Sequence, residues 1–275
     1  MQAIVVYDRT RYANNQWLAQ QYCAQGEARG IRTTMVFAEE LDAYLRTHEP
    51  PQFAIMRCEN QQARQQLEAL GTHTSNSARA SWLCNDKMRT LTHARELGAR
   101  TLRTCKYAVH ELFDAVSYPA VLKPLDGHGG FAVAHIHNAT ELAEYLQTYE
   151  FAPDTELLCQ EVADVIGKDL RVYVLGDRIL AAMLRHAPGQ FLSNFTRGGT
   201  ATRVELSAAD HAMVLELAQG FGTDFAGFDF FPSPTGLILN EVEDIVGMRM
   251  LYAHTTIDPV AEHLRYLHET CGATG

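Results

Sequence analysis

The 275-residue sequence predicts an α/β (α+β) chain in which a small α/β domain precedes a larger part built on antiparallel sheet. Three observations predict it. The first 70 residues alternate short apolar runs with helical periods, the pattern of βαβ units. The stretch Tyr118–Val133, YPAVLKPLDGHGGFAV, joins a buried strand to a lysine and a glycine-rich turn. Beyond residue 150 the strands alternate and are joined by tight turns, which favours hairpins.

Taken in order, AIVVY (3–7) reads as a buried strand, and Trp17, Leu18, Gln21 and Tyr22 mark a helix that Gly30 ends. Strands over 33–37 and 53–56 and a helix over 61–70 complete a domain expected at 1–85. DKMRTLTHAREL (86–97) is helical, with Met88, Leu91, Ala94 and Arg95 at core spacing and Lys87 at its start. After the glycine-loop hairpin, a helix over 140–149 carries a stripe of Leu142, Tyr145, Leu146 and Tyr149, with Asn138 and Glu141 able to cap it. A central part is expected over 86–156 and a last part over 157–275. The latter contains strands at 157–162, 169–175 and 179–185, the last two joined by Gly176-Asp177. A helix capped by Ser207 and Asp210 follows, then a hairpin of 225–231 with 237–243 turning through PSPTG.

Composition excludes several classes. Lys and Arg number 23 against 33 Asp and Glu, and this net charge of −10 repels polyanions, so a nucleic acid is not expected as a partner. The amino terminus has no basic start, and no apolar run nears the length of a membrane span, so a cytoplasmic protein is expected. The six cysteines show no C-x-x-C spacing and read as reduced thiols.

Two places carry chemistry. Ala120, Val121 and Leu122 set Lys123 at a fixed depth, and Gly127, Gly129 and Gly130 let backbone N–H groups approach an anion. An ordinary hairpin turn has the same composition, and the spacing is neither that of a P-loop nor that of a Rossmann turn. In the last hairpin, symmetry about Pro234 sets Asp229 diagonally across from Glu241, with Glu243 on the same face. Three carboxylates that close repel unless a divalent cation such as Mg²⁺ (or Mn²⁺) neutralises them; the alternative is an edge hairpin facing solvent. Phe228, Phe230, Ile238 and Val242 assign the other face to the core. His128, His135 and His137 are given no ligand role.

KPLDGHGG (123–130), followed by QEV, KDLRVYVLGDRILAAMLRH, FLSNFTRGG, GFDFF and NEVE, resembles the ATP-grasp superfamily, most of all its RimK-type carboxylate-amine ligases, and is also similar to bacterial glutathione synthetase. The order is kept from about residue 86 to 252. The resemblance implies an ATP-grasp fold behind an N-terminal α/β domain. It implies an enzyme that phosphorylates a carboxylate with ATP and Mg²⁺ and lets an amine displace the phosphate, on an amino acid or short peptide. It also implies roles for particular residues. Lys87 and Lys123 match the lysines at the ATP phosphates, and Asp126, Gly127, His128, Gly129 and Gly130 match the lid loop. Gln160, Glu161 and Val162 match the hinge at the adenine, Asp169 the ribose contact, and Ser193 with Asn194 a further nucleotide contact. Asp229 and Glu241 match metal ligands, and Arg171 and Arg185 match arginines at the transferred phosphoryl group. On their own, Arg171 and Arg185 read as solvated residues of half-buried strands rather than as catalytic ones, and Arg197, a candidate substrate contact, also reads with its glycines as an ordinary turn.

One segment departs from the pattern. Where relatives have asparagine and then a small-residue, proline and glycine segment, this chain has Glu243-Asp244-Ile245-Val246-Gly247-Met248-Arg249. Glu243 adds charge to the expected metal site. Arg249 becomes a candidate to hold a substrate carboxylate, or to pair with Asp244 or Glu243. A nucleotide-binding regulatory module and a small-molecule kinase are the rival readings. The residues leave open the identity of the acid and the amine, and whether copies of the chain associate.

Overall fold

A computed structural model describes residues 1–125, 130–188 and 200–272. The opening strands are β1 (Gln2–Tyr7), β2 (Arg32–Phe37), β3 (Phe53–Met56) and β4 (His73–Ser75), which form a wholly parallel sheet in the order β2-β1-β3-β4. The crossovers are α1 (Arg9–Glu27), the short α2 (Leu41–Leu45) and α3 (Gln61–Ala69). Sheets covered on both faces read as continuous apolar runs, and Ile4, Val5, Val6, Phe53, Ala54 and Ile55 are all buried. Helix α1 starts on Asp8, whose carboxylate accepts the Arg11 N–H, and is broken at Asn15, which leaves helical φ/ψ.

Helices α4 (Ala78–Cys84) and α5 (Lys87–Glu96) lead to a second sheet, β5 (Thr104–Ala108), β6 (Ala120–Pro124), β7 (Ala134–Ile136) and β8 (Glu156–Gln160), in the order β5-β8-β6-β7. The pairing of β6 with β7 is the expected glycine-loop hairpin. This sheet packs on α6 (Leu112–Ala115) and α7 (Ala139–Tyr149) through Leu112, Leu122, Leu142, Tyr145 and Leu157. Asn138 caps α7 as expected, but only Leu142 and Tyr145 of the predicted stripe are buried. In α5 the buried positions are Lys87, Thr90, Leu91 and Ala94, whereas Arg95 faces solvent and Met88 lies half-buried. The helix turns its first residue inward because Lys87 has a polar cleft to enter.

The third sheet contains β9 (Lys168–Leu175), β10 (Arg178–His186), β11 (Thr200–Val204), β12 (Phe225–Ser233) and β13 (Gly236–Glu243), all antiparallel, in the order β11-β10-β9-β12-β13. Gly176, at φ +58°, turns β9 into β10. The face carrying Val172, Val174, Phe228, Phe230 and Val242 packs on α8 (Ala208–Phe221). The opposite face joins α1, the first sheet and the closing helices α9 (Arg249–His254) and α10 (Pro259–Gly272) in one core containing Tyr22, Phe53, Leu175, Met183, Phe225 and Leu264.

The last hairpin differs from expectation in its register. An irregularity between Asp229 and Phe230 leaves Asn240 without a partner position, so Asp229 lies directly opposite Glu241 rather than diagonal to it. The same shift makes Leu239, not Ile238, the core residue beside Val242.

Candidate active site

Lys87, the first residue of α5, and Lys123, on β6, are buried at 7% and 5% exposure and line the same cleft. Lys123 Nζ donates to Gln160 Oε1 at 3.0 Å and to Asn240 Oδ1 at 3.1 Å, the extra residue of the β13 irregularity. Lys87 Nζ lies 3.6 Å from a Glu241 oxygen and 3.5 Å from the Leu125 carbonyl. Burial lowers the Lys123 ammonium to about 8 even though Glu241 pulls the other way, and the charge on Lys87 lowers it further. A lysine on a strand bordering a turn is expected half-exposed and without a core role; the structure corrects this, burying Lys123 to 5% exposure.

Opposite the lysines, the carboxylates do not converge on one point. Arg171 grips Asp229 with both arms, Nε at 2.7 Å and Nη2 at 2.6 Å, and also reaches Glu243 at 2.8 Å. Arg185 grips Asp169 in the same bidentate way, at 2.5 and 2.6 Å, and reaches Asp229 at 2.6 Å. Asp229 is thus shared by two guanidinium groups. Burial alone would raise its carboxyl, but the two arginines outweigh burial and hold it at about 2. Among the described residues no three acidic, histidine or cysteine side chains are close enough together to hold a metal, which corrects the expected three-carboxylate cluster. Arg171 and Arg185, readable from sequence as solvated strand residues, are buried at 8% and 5% exposure.

These side chains line two adjoining spaces. A cleft has Leu102, Val121, Val133, Ile166 and Phe231 as apolar walls and Lys87, Lys123, Gln160, Glu161 and Asp169 as polar ones. A wider cavity of about 690 Å³ extends from there to α1, bounded by Tyr7, Asn14, Arg57, Tyr173, Glu243 and Arg249. Gly130, Arg185, Asp229 and Glu241 line both, so the spaces meet at the carboxylate–guanidinium cluster.

The remaining sequence candidates fall as follows. β8 ends at Gln160, whose amide bridges Lys123 and Thr104, so the expected strand over 157–162 stops two residues short. The Glu161 backbone N–H donates to the Arg103 carbonyl and its side chain accepts the Arg103 N–H, fixing the turn at the cleft. Val162 does not line the cleft. Asp169 is engaged by Arg185. Gly130 stands at the described edge of the glycine loop with φ +77°. Asp126, Gly127, His128 and Gly129, and also Ser193, Asn194 and Arg197, lie outside the described residues. Arg249 donates to the Asn14 carbonyl at 3.1 Å, next to the break in α1. Neither acid offered to Arg249 by the sequence pairs with it, since Asp244 bonds to Arg64 at 3.2 Å and Glu243 to Arg171.

Sequence reasoning missed the part of the cavity supplied by the first sheet. Tyr7 and Arg57 stand at the carboxyl ends of β1 and β3, where open parallel sheets bind ligands, a signal that was present in the strand assignments. It also missed how the Asp244–Met248 loop is held. The Asp244 carboxylate accepts from Arg64 and Asn85, its carbonyl from Asn76, the Val246 carbonyl from Arg57 and the Gly247 carbonyl from Tyr173. Nothing local in the sequence marks Arg64 or Asn76 as partners of a loop some 170 residues away.

Comparison with known proteins defines the class. The RimK-like ATP-grasp domain family matches residues 92–267. A probable alpha-L-glutamate ligase 1 of Shewanella frigidimarina (strain NCIMB 400) is 29% identical over 215 residues, covering 76% of this chain and 71% of that protein. The D-alanine–D-alanine ligase of Bacillus anthracis, solved with ATP, superposes with a TM-score of 0.76 at 17% identity over 100% of this chain and 98% of that one. A RimK domain ATP-grasp protein of Sphaerobacter thermophilus gives 0.72 at 18% identity, covering 97% and 99%. The fold is that of the ATP-grasp ligases. The chain belongs to the RimK-like ATP-grasp family and is an ATP-dependent carboxylate–amine ligase.

Proposed function

We propose that the chain joins the amino group of L-glutamate to a carboxylate of an amino acid or short peptide, through an acyl phosphate, with ADP and phosphate as products. The observation that carries this is the junction of the two spaces. A slot with apolar walls and two buried lysines opens onto a second cavity, and a charge cluster is shared between them. Glutamate is proposed because the relative cited above is named a probable glutamate ligase and because the second cavity is lined by several arginines.

In this reading Lys87 and Lys123 hold nucleotide phosphates inside a closed site, where fixed cations stabilise the charge that develops on transfer. Gln160 and Glu161, which line the cleft, are assigned to the base, Asp169 to the ribose, and the family resemblance assigns 126–130 and Ser193 to the nucleotide. Arg171 and Arg185, with Asn194, stabilise the acyl phosphate, and Arg197 and Arg249 contact substrate. Mg²⁺, or Mn²⁺, fits Asp229 and Glu241: both are oxygen donors, they face each other across the β12–β13 ladder, and both line the two spaces. Such ions take one or two carboxylates and complete their shell with water and phosphate oxygens. The cation would neutralise phosphate charge during transfer. Glu243, the third expected ligand, reaches that site only by exchanging its contact with Arg171. Burial of the junction also keeps water from competing with the amine.

We further propose the three-part division at about residues 85 and 156. Among the described residues no helix is long and apolar enough to cross a membrane, and the cytoplasm is the proposed location. The test is phosphate release over a grid of carboxylates and amines. The expected result is release that requires both partners, with ADP as co-product. ADP formation with a carboxylate alone, without phosphate release and with a stable phosphorylated product, would identify a kinase; stoichiometric AMP would refute the chemistry.

A further inference from the structure

We infer that Arg57 and Tyr7 form a dock for a carboxylate of the amino-acid substrate, one other than the carboxylate being activated. This rests on the ligase reading above and specifies which residues of the cavity recognise the amine-bearing partner.

Tyr7 ends β1 and Arg57 directly follows β3, its neighbour in the parallel sheet, with the Arg57 N–H donating to the Val6 carbonyl at 2.8 Å. The two side chains are therefore brought together at the carboxyl edge of the sheet. Both are buried, Tyr7 at 1% and Arg57 at 8% exposure, and both line the larger cavity but not the nucleotide cleft. Their polar ends are under-used. Arg57 Nη2 donates to the Val246 carbonyl at 3.1 Å, while Arg57 Nε and the Tyr7 hydroxyl have no hydrogen-bond partner of good geometry among the described residues. Buried polar groups are almost always satisfied, and an unmade bond there costs about 1–3 kcal/mol, so two together at a cavity wall point to a ligand. The phenol and the guanidinium are close enough to interact: burial raises Tyr7, and the charge of Arg57 together with a loose hydrogen bond between the two side chains partly offsets that rise, a contact too poor in geometry to satisfy either group.

Charge selects the ligand. Arg171 and Arg185 are matched by Asp229, Asp169 and Glu243, and Arg64 by Asp244. Among the described residues no carboxylate pairs with Arg57. A planar guanidinium whose Nε is unengaged can bind a carboxylate in its plane, and a phenol can donate a further bond to the same group. The activated carboxylate must lie at the junction formed by Arg185, Asp229 and Glu241. Arg57 and Tyr7 do not line the cleft, so they hold a different carboxylate and fix how the amine is presented.

The test uses calorimetry on the full chain saturated with Mg-ADP, titrated with L-glutamate, glutamine and isoglutamine. The wild type is expected to bind glutamate at least tenfold tighter than one of the two amides. Arg57→Gln should close that gap, bringing glutamate down to the affinity of that amide, and Tyr7→Phe, which removes one oxygen only, should narrow it. A purely structural role through Val246 would weaken all three ligands alike and leave the gap open, which overturns the proposal. So does a wild type that binds the three equally or binds none. ADP titration of the same samples keeps the two readings apart: a wild type that fails to bind ADP refutes the nucleotide site, whereas an unaltered acid–amide gap refutes only the dock.

Discussion

Lys123 is buried with a lowered ammonium pKa, so replacing it by methionine should change stability and nucleotide binding in opposite directions. The folded-state value of about 8 lies below the ordinary 10.5. Below pH 8 both the folded and the unfolded chain hold the proton, and the folded form bears the full desolvation cost. As pH rises from 8 toward 10.5 the folded chain releases its proton first, so this group makes the protein more stable with rising pH. Linkage at about 1.4 kcal/mol per unit predicts that the wild type gains about 2 kcal/mol between pH 7 and pH 9.5 relative to Lys123→Met. At pH 7 the variant escapes a cost of about 3 kcal/mol. It also leaves Gln160 and Asn240 each without a donor, at about 1 kcal/mol apiece, so a net stabilisation of about 1 kcal/mol is expected. Urea unfolding at the two pH values reads the stability, and calorimetry with a non-hydrolysable ATP analogue reads the affinity, which should fall about 100-fold with the loss of a buried cation at the phosphates. A variant less stable than wild type at pH 7, with no pH-dependent difference, would refute the burial argument. Unchanged nucleotide affinity would refute the phosphate role.

Three further outcomes follow from individual contacts. His263 is fully enclosed, its ring nitrogens 2.9 Å from the Tyr22 hydroxyl and 2.8 Å from Ser75 Oγ, and burial lowers it to about 3. Stability from this group is complete above pH 6.5 and is lost as pH falls toward 3, by about 1.4 kcal/mol per unit, and His263→Gln should flatten that part of the acid unfolding curve. A methyl group added at Gly227 would sit 2.6 Å from Val246 Cγ2, so Gly227→Ala should push the Asp244–Met248 loop outward and raise the amine KM while ATP affinity is kept; an unchanged KM would show that this loop does not shape the cavity. Glu243→Gln removes one counter-charge from Arg171, which then draws harder on Asp229. The Mg²⁺ concentration for half-maximal rate should rise at constant amine KM, whereas a raised KM with an unmoved Mg²⁺ midpoint would mean that Glu243 faces the substrate ammonium.

Much of the fold was legible because its elements announce themselves locally. Continuous apolar runs marked the parallel strands, Asn138 and Ser207 marked helix starts by their capping chemistry, and Gly176-Asp177 marked a hairpin. The misses in the last hairpin share one cause. Periodicity assigns faces only while register is regular, and the irregularity between Asp229 and Phe230 inverts the parity of β13 on one side of Glu241. Ile238 and Leu239 exchanged roles for that reason, and Asp229 came to face Glu241 directly.

The site was legible as a set of residues but not as a set of partners, and the difference is electrostatic. Asp229, Glu241 and Glu243 on adjacent strands look from sequence like three repelling charges in need of a cation. The third sheet places β9 beside β12 and β10 beyond β9, so Arg171 comes into register with Asp229 and Arg185 with Asp169. The guanidinium groups compensate Asp229 and Glu243, while Glu241 lies 3.6 Å from the Lys87 ammonium. This pairing also accommodates the charge at 243, which meets Arg171 at 2.8 Å. A cluster already balanced in this way holds its arginines in place, and under the proposed function an incoming phosphoryl group would meet guanidinium groups that are already oriented. Preorganisation of that kind lowers the reorganisation needed at transfer, and it could be read only from strand order, which no local pattern encodes.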